Sequence, residues 1–501
     1  MPKLNIKSNS ITKAVLAQQM QKLREEFEIP NNFPDEVIAE AEAAANLDLA
    51  ELNLPDYTHI PLVTIDPEGS RDLDQALYIE NTSTGMRIYY AIAALNFFVR
   101  PGGALDQEVW RRGTTIYLPD AAVPLHPEVI STNAASLLPN LVRPAYLWVL
   151  DLDVDAELVA VDVFHARVSS RAQLSYDQVQ RAVDGLETLP NQVTWELPQL
   201  LADFGKKRLM IERKRGGVSL RLPEQRIAQH EERYHLEFRD LTEVESWNAQ
   251  VSLLTGMAAA QIMLKHDLGL LRTLPEADSR DIQRLRRVAA ALGLTWEDSQ
   301  SYGEFLATLD VKDPRALAYM NKAASLFRGA AYLALPASDI ADDGRELPVS
   351  EDSFVHHAIA APYAHVTAPL RRLVDRYGLE VVRCAQAGLD IPEWVLKSLP
   401  ELNGAMATTG RIAGRAESQA LNAVEALVLQ GREGKLFDAV IIEKLPMDPN
   451  RDSKYLRGVI MIENPAIEAV VTGEKLNLGA KVKVKLDRID LASRKIWFHL
   501  A

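Results

Sequence analysis

The sequence predicts an α+β protein: a mixed sheet with packed helices, a short helical unit before it and a small OB-type β-barrel after it. Three observations carry this. Extended runs crowd between Pro55 and Tyr176, helical periodicity prevails from there to Leu429, and five short strand-like runs follow Lys435. Strands followed by helices fit an α+β body, whereas a doubly wound sheet would alternate them. With 501 residues and 47% hydrophobic content, the chain can bury a large core and smaller ones, since domains run to roughly 100–200 residues. The expected divisions are 1–55, 56–430 and 431–501.

The first unit begins at Ser10–Phe27, where Ser10 is a candidate helix cap and Ile11, Val15, Leu16, Met20 and Leu23 share one face. A second helical run covers Pro34 to Leu47. The pair permits a helix-turn-helix, but a packing element is the simpler reading. Beyond Pro55 come Pro61–Ile65, then Ala76–Ile79 and Met86–Ala93 across the turn signal NTSTG, then Tyr146–Val154 and Leu158–Val168. Helices are expected at Glu243–Leu264, Asp281–Leu292, Pro314–Arg328, Leu370–Ala387 and Gly404–Leu429. The closing runs KLFDAVIIEKL, RGVIMIE, EAVVTG, KVKVKLDRID and KIWFHL suit a five-stranded closed barrel, a common oligonucleotide platform, though an unrelated all-β module has the same strand count.

Composition narrows the setting. The amino terminus lacks a basic-then-apolar leader, no apolar run is long enough to span a bilayer, and Cys384 is the one cysteine. A disulfide framework and a multi-thiolate zinc site are excluded, and a cytoplasmic monomer without membrane partners is expected. Net charge is −14, but from Gly431 onward the tail is +3, leaving −17 on the rest. An acidic body with a basic tail fits a carboxylate metal site beside a nucleic-acid module, and equally fits a bland acidic surface.

The sharpest local signal is VTIDPEGSRDLDQAL, Val63–Leu77. Asp72 and Asp74 project from one face if the backbone is extended, and the turn at Pro67–Ser70 can return Asp66 beside them. Three convergent carboxylates need a hard divalent cation between them, Mg²⁺, Mn²⁺ or Ca²⁺, and such a centre suits phosphodiester hydrolysis. With 69 acidic residues in the chain, a solvated turn or a structural Ca²⁺ loop would read the same way.

The loop TIDPEGSRDLDQAL resembles the hallmark of the ribonuclease II (RNB) catalytic domain, and further stretches follow in that family's order. They are RRGTTIYLPDAAVPLHPEVIS, SLLPNLVRPA, VSSRAQLSYDQVQ, YAHVTAPLRRLVDR and GRAESQ. The resemblance covers roughly residues 56–430 as catalytic body and 431–501 as RNA-binding barrel. It implies a divalent-metal 3′→5′ exoribonuclease acting on single-stranded RNA 3′ ends and releasing nucleoside 5′-monophosphates. Asp66, Asp72, Asp74 and Gln75 would be metal ligands, with Asp72, Asp74 and Arg371 catalytic and the chemical step depending most on Asp74. Tyr117 would stack on a base near the 3′ end, Arg371 would contact phosphate, and Glu417 would lie near the RNA. Arg372 and Asp375 read as a structural pair further along Arg371's helix, and His365 and Thr367 as structural. His356 and His357, being neighbours, are poor metal ligands.

The sequence departs from the family pattern in places. Gln75 stands for the fourth aspartate, Ala94 and Phe97 for an Asp and a His, and Leu220 near a second stacking aromatic. Only the helical unit stands where ribonuclease II usually carries two cold-shock barrels, which implies a more open entrance for duplexes with 3′ overhangs. The alternative reading is a catalytically degenerate RNB protein that binds RNA or a regulatory partner.

Overall fold

Two closed five-stranded barrels and one long helix organise the chain in the computed structural model, which describes residues 11–220, 222–230, 233–327, 329–336, 338–340, 346–348, 350–445 and 455–501. The first barrel is built from Leu62–Asp66, Gln75–Thr82, Gly85–Ala93, Val142–Asp153 and Leu158–Ser175. Neighbours run antiparallel except at the closing seam, where Leu62–Asp66 lies parallel to Ser170–Ser175. The expected mixed sheet therefore curls shut, and that closure carries Asp66 and Gln75 to one rim. The NTSTG turn joins Thr82 to Gly85. Gly85 is required there: its φ is +155°, and a Cβ would lie 2.1 Å from the Leu152 carbonyl oxygen.

Helices cover the barrel and share its core. Glu243–Lys265 starts with a reciprocal cap, Thr242 Oγ1 accepting from Glu245 N–H while Glu245 accepts from Thr242 N–H. Trp247, Val251, Leu254 and Met263 of this helix are buried with Trp148 and Tyr90 of the barrel. Leu197–Arg215, which the sequence reading did not single out, packs beside it. Leu373–Ala387 and the 37-residue Glu393–Leu429 complete the layer. The latter was expected from Gly404, but it runs through Pro400 because buried Val395, Leu399 and Leu402 anchor its first turns in the core.

The two amino-terminal helices serve different cores. Lys13–Glu26 places Leu16, Met20 and Leu23 against Ala416, Ala420 and the second barrel, whereas Asp35–Ala45 puts Val37 and Ala41 into the main core. Ser10, the expected cap, and Arg328, the expected end of the helix from Pro314, lie outside the described residues. Ala104–Arg112, unanticipated from sequence, starts on the Glu40 carboxylate, which accepts from Ala104 N–H at 2.7 Å and Leu105 N–H at 3.3 Å. An anion there meets the positive end of the helix.

The second barrel joins Leu436–Lys444, Leu456–Ile462, Ile467–Gly473, Lys495–Leu500 and Lys481–Asp490 in that spatial order. Ile467–Gly473 and Lys495–Leu500 pair in parallel, as an OB-type barrel requires. A hairpin, Glu224–His230 with Arg233–Arg239, wedges between barrel and helices and takes Ile11–Thr12 as a third strand.

Where hairpin, long helix and barrel meet, Glu425 is buried. It accepts from Gln225 Nε2 at 2.8 Å and Glu468 N–H at 3.1 Å. Burial pushes its carboxyl up to about 7 from 4.5. The native state therefore binds this proton more tightly than the unfolded chain does, so stability should fall as pH rises from 4.5 to 7. Glu425→Gln keeps an acceptor without the charge. It should remove that slope and add up to roughly 3 kcal/mol at pH 8, read from urea unfolding at pH 6 and 8.

Candidate active site

The acidic loop is locked by backbone contacts before any side chain reaches the site. Gly69, at φ +85°, turns the chain, and Ser70 N–H donates to the Pro67 carbonyl at 3.2 Å. The buried Ser136 hydroxyl accepts from Leu73 N–H at 3.0 Å and donates to the Arg71 carbonyl at 2.7 Å, fixing both sides of Asp72. Leu137 N–H adds a bond to the Leu73 carbonyl. The stretch SLLPN thus acts as a clamp on the loop.

Asp66 ends the first strand, half-buried, and its Oδ2 is buried with no hydrogen-bond partner. Burial, then the neighbouring charge of Asp72, pushes its carboxyl up to about 7, while Arg371 opposes the shift. Asp74 is more enclosed, at 6% exposure. One oxygen accepts from Leu370 N–H at 2.7 Å, and the other lies 3.8 Å from Arg371 Nε. Burial raises it well above the carboxylate range, with Arg371 again the leading counterweight. Asp72 is half-buried between them in charge terms, raising both.

Among the described residues, no three of His, Cys, Asp or Glu converge as a ready-made metal cage. The expected trio of convergent ligands therefore gives way to a looser anionic rim. Gln75 is also placed differently from a ligand. Its Nε2 donates to the Thr367 carbonyl at 2.6 Å, and its Oε1 accepts from the Tyr90 and Ser252 hydroxyls. Both lone pairs of that oxygen are engaged. What remains, Asp66 with an unpartnered oxygen beside Asp72 and Asp74, fits a hard cation that takes one or two carboxylates and completes its shell with water and phosphate oxygens.

Arg371 does not lie on a helix, contrary to the sequence reading; it precedes Arg372, which caps Leu373–Ala387 in extended conformation. Its backbone is held and its side chain is half-exposed. The carbonyl accepts from Thr115 N–H at 3.0 Å and Thr114 Oγ1 at 2.9 Å, while the guanidinium is 48% exposed. Arg372 instead grips the buried Asp375 through two bonds at 2.8 and 2.9 Å, and Asp375 also accepts from Ala368 N–H. This is a structural pair.

The segment bonded to Arg371 continues into Ile116–Tyr117. The Tyr117 ring is 47% exposed, and its hydroxyl donates to Asp72 Oδ2 at 3.3 Å. Glu417, on the long helix, accepts from Tyr117 N–H at 3.0 Å. In this structure Glu417 orients the strand that presents Tyr117. Gly113 packs onto the same helix, where a Cβ would lie 2.1 Å from Thr409 Oγ1.

The remaining residues singled out from sequence stand apart from the rim. His365 is half-buried, shares a 2.7 Å hydrogen bond with Tyr332 and is held neutral far below the ordinary histidine range by desolvation. His357 pairs with Asp352 at 3.3 Å. Ala94 is fully buried, Phe97 packs on His165, and Leu220 joins the apolar cluster of the helices around Phe305 and Tyr319. Sequence reasoning missed Ser136, Ser252, Tyr90 and His126, whose Nδ1 lies 3.1 Å from the Leu370 carbonyl. Each acts across a long sequence separation, with no local pattern to mark it.

The rim brings together buried and half-buried acids, the half-exposed Arg371 guanidinium and the exposed Tyr117 ring. That set can hold a cation, contact phosphate and stack a base. Comparison with known proteins agrees in kind. Residues 55–384 match the RNB domain, and residues 435–501 match the RNase II-type exonuclease C-terminal S1 domain. Ribonuclease R of Aquifex aeolicus is 25% identical over 95% of this chain and 69% of its own length. Human exosome complex exonuclease RRP44 is 28% identical over 64% of the chain, which spans only 33% of that relative. Apo RNase R of Mycoplasma genitalium superposes with a TM-score of 0.82 at 19% identity, over 97% of this chain and 78% of that one. Yeast Ssd1, described as a pseudonuclease, superposes at 0.70 and 15% identity, over 95% and 57%. At these identities the two structures speak for the fold alone.

Proposed function

The chain belongs to the RNB domain family, and from that premise we propose that it is a metal-dependent exoribonuclease removing nucleoside 5′-monophosphates from the 3′ end of single-stranded RNA. The observation that carries the proposal is the junction of Asp74 and Arg371. A buried carboxylate and a solvent-facing guanidinium are fixed 3.8 Å apart by the backbone contacts of Leu370 and Thr115.

Each residue has a task in this reading. Tyr117 offers a ring face to a terminal base, and stacking tolerates any base. Arg371 reaches a phosphate as a planar fork and offsets charge that grows on it. Asp66, Asp72 and Asp74 would hold the divalent cation, Mg²⁺ or Mn²⁺. When bound, the cation supplies an activated water and charge neutralisation at the scissile phosphate. The second barrel, with Lys481, Lys483 and Lys485 alternating along one strand, gives the incoming strand a basic surface. Duplexes with a 3′ overhang belong to the same reading.

Because Asp66 titrates near 7, cation binding must displace its proton below that pH. Half-saturating Mg²⁺ should therefore fall as pH rises through 7. Titrations of Mg²⁺ at pH 6, 7 and 8 check this; a constant midpoint would contradict it.

The deciding experiment is a time course on a 5′-labelled oligoribonucleotide and its DNA counterpart, with Mg²⁺ or EDTA. A metal-dependent ladder shrinking from the 3′ end on RNA alone supports the exoribonuclease. Intact RNA with a retained gel shift favours the second reading, a binding protein without cleavage, which Gln75 in place of the family's fourth aspartate motivates.

A further inference from the structure

We propose that Gln75 is a positioning residue that ties the Arg371 loop to the barrel and so sets where Arg371 stands against Asp74. The proposal rests on the exoribonuclease reading, but its core is a set of contacts.

Thr367 C=O can only accept, so the group 2.6 Å from it must be the Gln75 amide nitrogen, and Oε1 must face the Tyr90 and Ser252 hydroxyls. Tyr90 and Ser252 themselves stand in contact at 2.7 Å, Tyr90 from a barrel strand and Ser252 from the helix Glu243–Lys265. The amide is thus seated in a frame of two rigid elements. A carboxylate in its place has no donor for Thr367 and would set its charge against a carbonyl oxygen.

Asp74 and Gln75 are adjacent, and they grip the two ends of one short segment: Gln75 takes Thr367 C=O, Asp74 takes Leu370 N–H. Asp375 holds Ala368 N–H between them. Arg371 is the next residue. Its guanidinium has one ion-pair neighbour within 4 Å among the described residues, Asp74, so the path of residues 367–370 decides where it starts from. Serving as a metal ligand would require Gln75 to release both hydroxyls; serving as a strut requires nothing to change.

The test compares wild type, Q75E and Q75D by hydrogen exchange of residues 366–372, RNA affinity in EDTA, Mg²⁺ titration and kcat, each with and without R371A. Q75E keeps size and acceptor, loses the donor and adds a negative charge. It should speed exchange in 366–372, lower kcat by about tenfold to a hundredfold, and leave both RNA affinity and half-saturating Mg²⁺ within about twofold. In the R371A background its effect on kcat should vanish, since both substitutions remove the same arrangement. Q75D, which supplies the family's residue, should be at least as impaired. Should Q75E not fold, S252A loosens the same frame from outside and should raise exchange in the same segment. If the wild type cleaves nothing, the exoribonuclease reading fails while hydrogen exchange still decides whether Gln75 holds the loop. Q75D that gains activity or needs less Mg²⁺, or Q75E losses that add in full to those of R371A, would overturn the proposal.

Discussion

Asp74→Asn is expected to reduce RNA hydrolysis on the order of a thousandfold or more while leaving the melting temperature unchanged or higher. The two halves of this result have one cause. Asp74 is buried, its backbone carbonyl accepts from Ala93 N–H at 2.9 Å, and Oδ1 accepts from Leu370 N–H. Asparagine fills the same volume and keeps that acceptor, so loop and barrel rim stay joined. What disappears is the charge, which in the free protein is costly: burial drives the carboxyl well above its ordinary range, and a half-exposed Arg371 offsets this only in part. Removing an incompletely compensated buried charge relieves the fold. It also removes the anion that a cation at the rim would require. Turnover, RNA affinity in EDTA and a thermal melt on the same preparation give the answer. A variant that loses activity only because it melts lower would reduce Asp74 to a structural residue.

This division between charge and framework explains what was legible in the sequence. Strand alternation over Ala76–Ile79 and Met86–Ala93 announced the hairpin because each strand has one face in the core, and the C-terminal runs announced five strands for the same reason. Closure of the first barrel depends on the parallel pairing of Leu62–Asp66 with Ser170–Ser175, more than a hundred residues away, and no local periodicity encodes it. Asp66, Asp72 and Asp74 stood out because the loop that carries them, TIDPEGSRDLDQAL, resembles the family's hallmark; their crowding alone would fit a solvated turn. Their partners did not, because a serine such as Ser136 or a carbonyl such as Thr367 looks ordinary until the fold brings it to the loop. Gln75 shows the limit of reading a position from its neighbours: beside three aspartates it reads as a ligand, and its contacts make it a strut. Arg371 was placed on a helix because APLRRL runs into a helical pattern, whereas residues 369–371 form a turn and the bridge of Thr114 to Arg372 holds the cap itself extended.

Arg371→Ala should cost about a hundredfold to a thousandfold in kcat, the scale of removing one preorganised group that stabilises developing charge, and should move the acidic limb of the pH–rate profile to higher pH. The first effect follows from exposure: the Arg371 guanidinium, though 3.8 Å from Asp74, is half-exposed and faces an incoming phosphate, while Arg372 is spent on Asp375. The second follows from its other face. Arg371 lowers the pKa of both Asp66 and Asp74 against the burial that raises them. Without it both carboxyls hold their protons to higher pH, so more alkaline conditions are needed to ionise the rim. Stability should change little, because the bonds that fix this segment come from the Arg371 backbone and survive in alanine. Arg371→Lys separates the two roles. Its ammonium restores a positive charge and should return the limb towards the wild-type pH, yet it lacks the planar fork and should recover only part of kcat. Profiles of kcat against pH for wild type, R371A and R371K therefore distinguish a phosphate-contacting arginine from one that only tunes its acidic neighbours; full recovery of kcat by lysine would assign Arg371 to the second role.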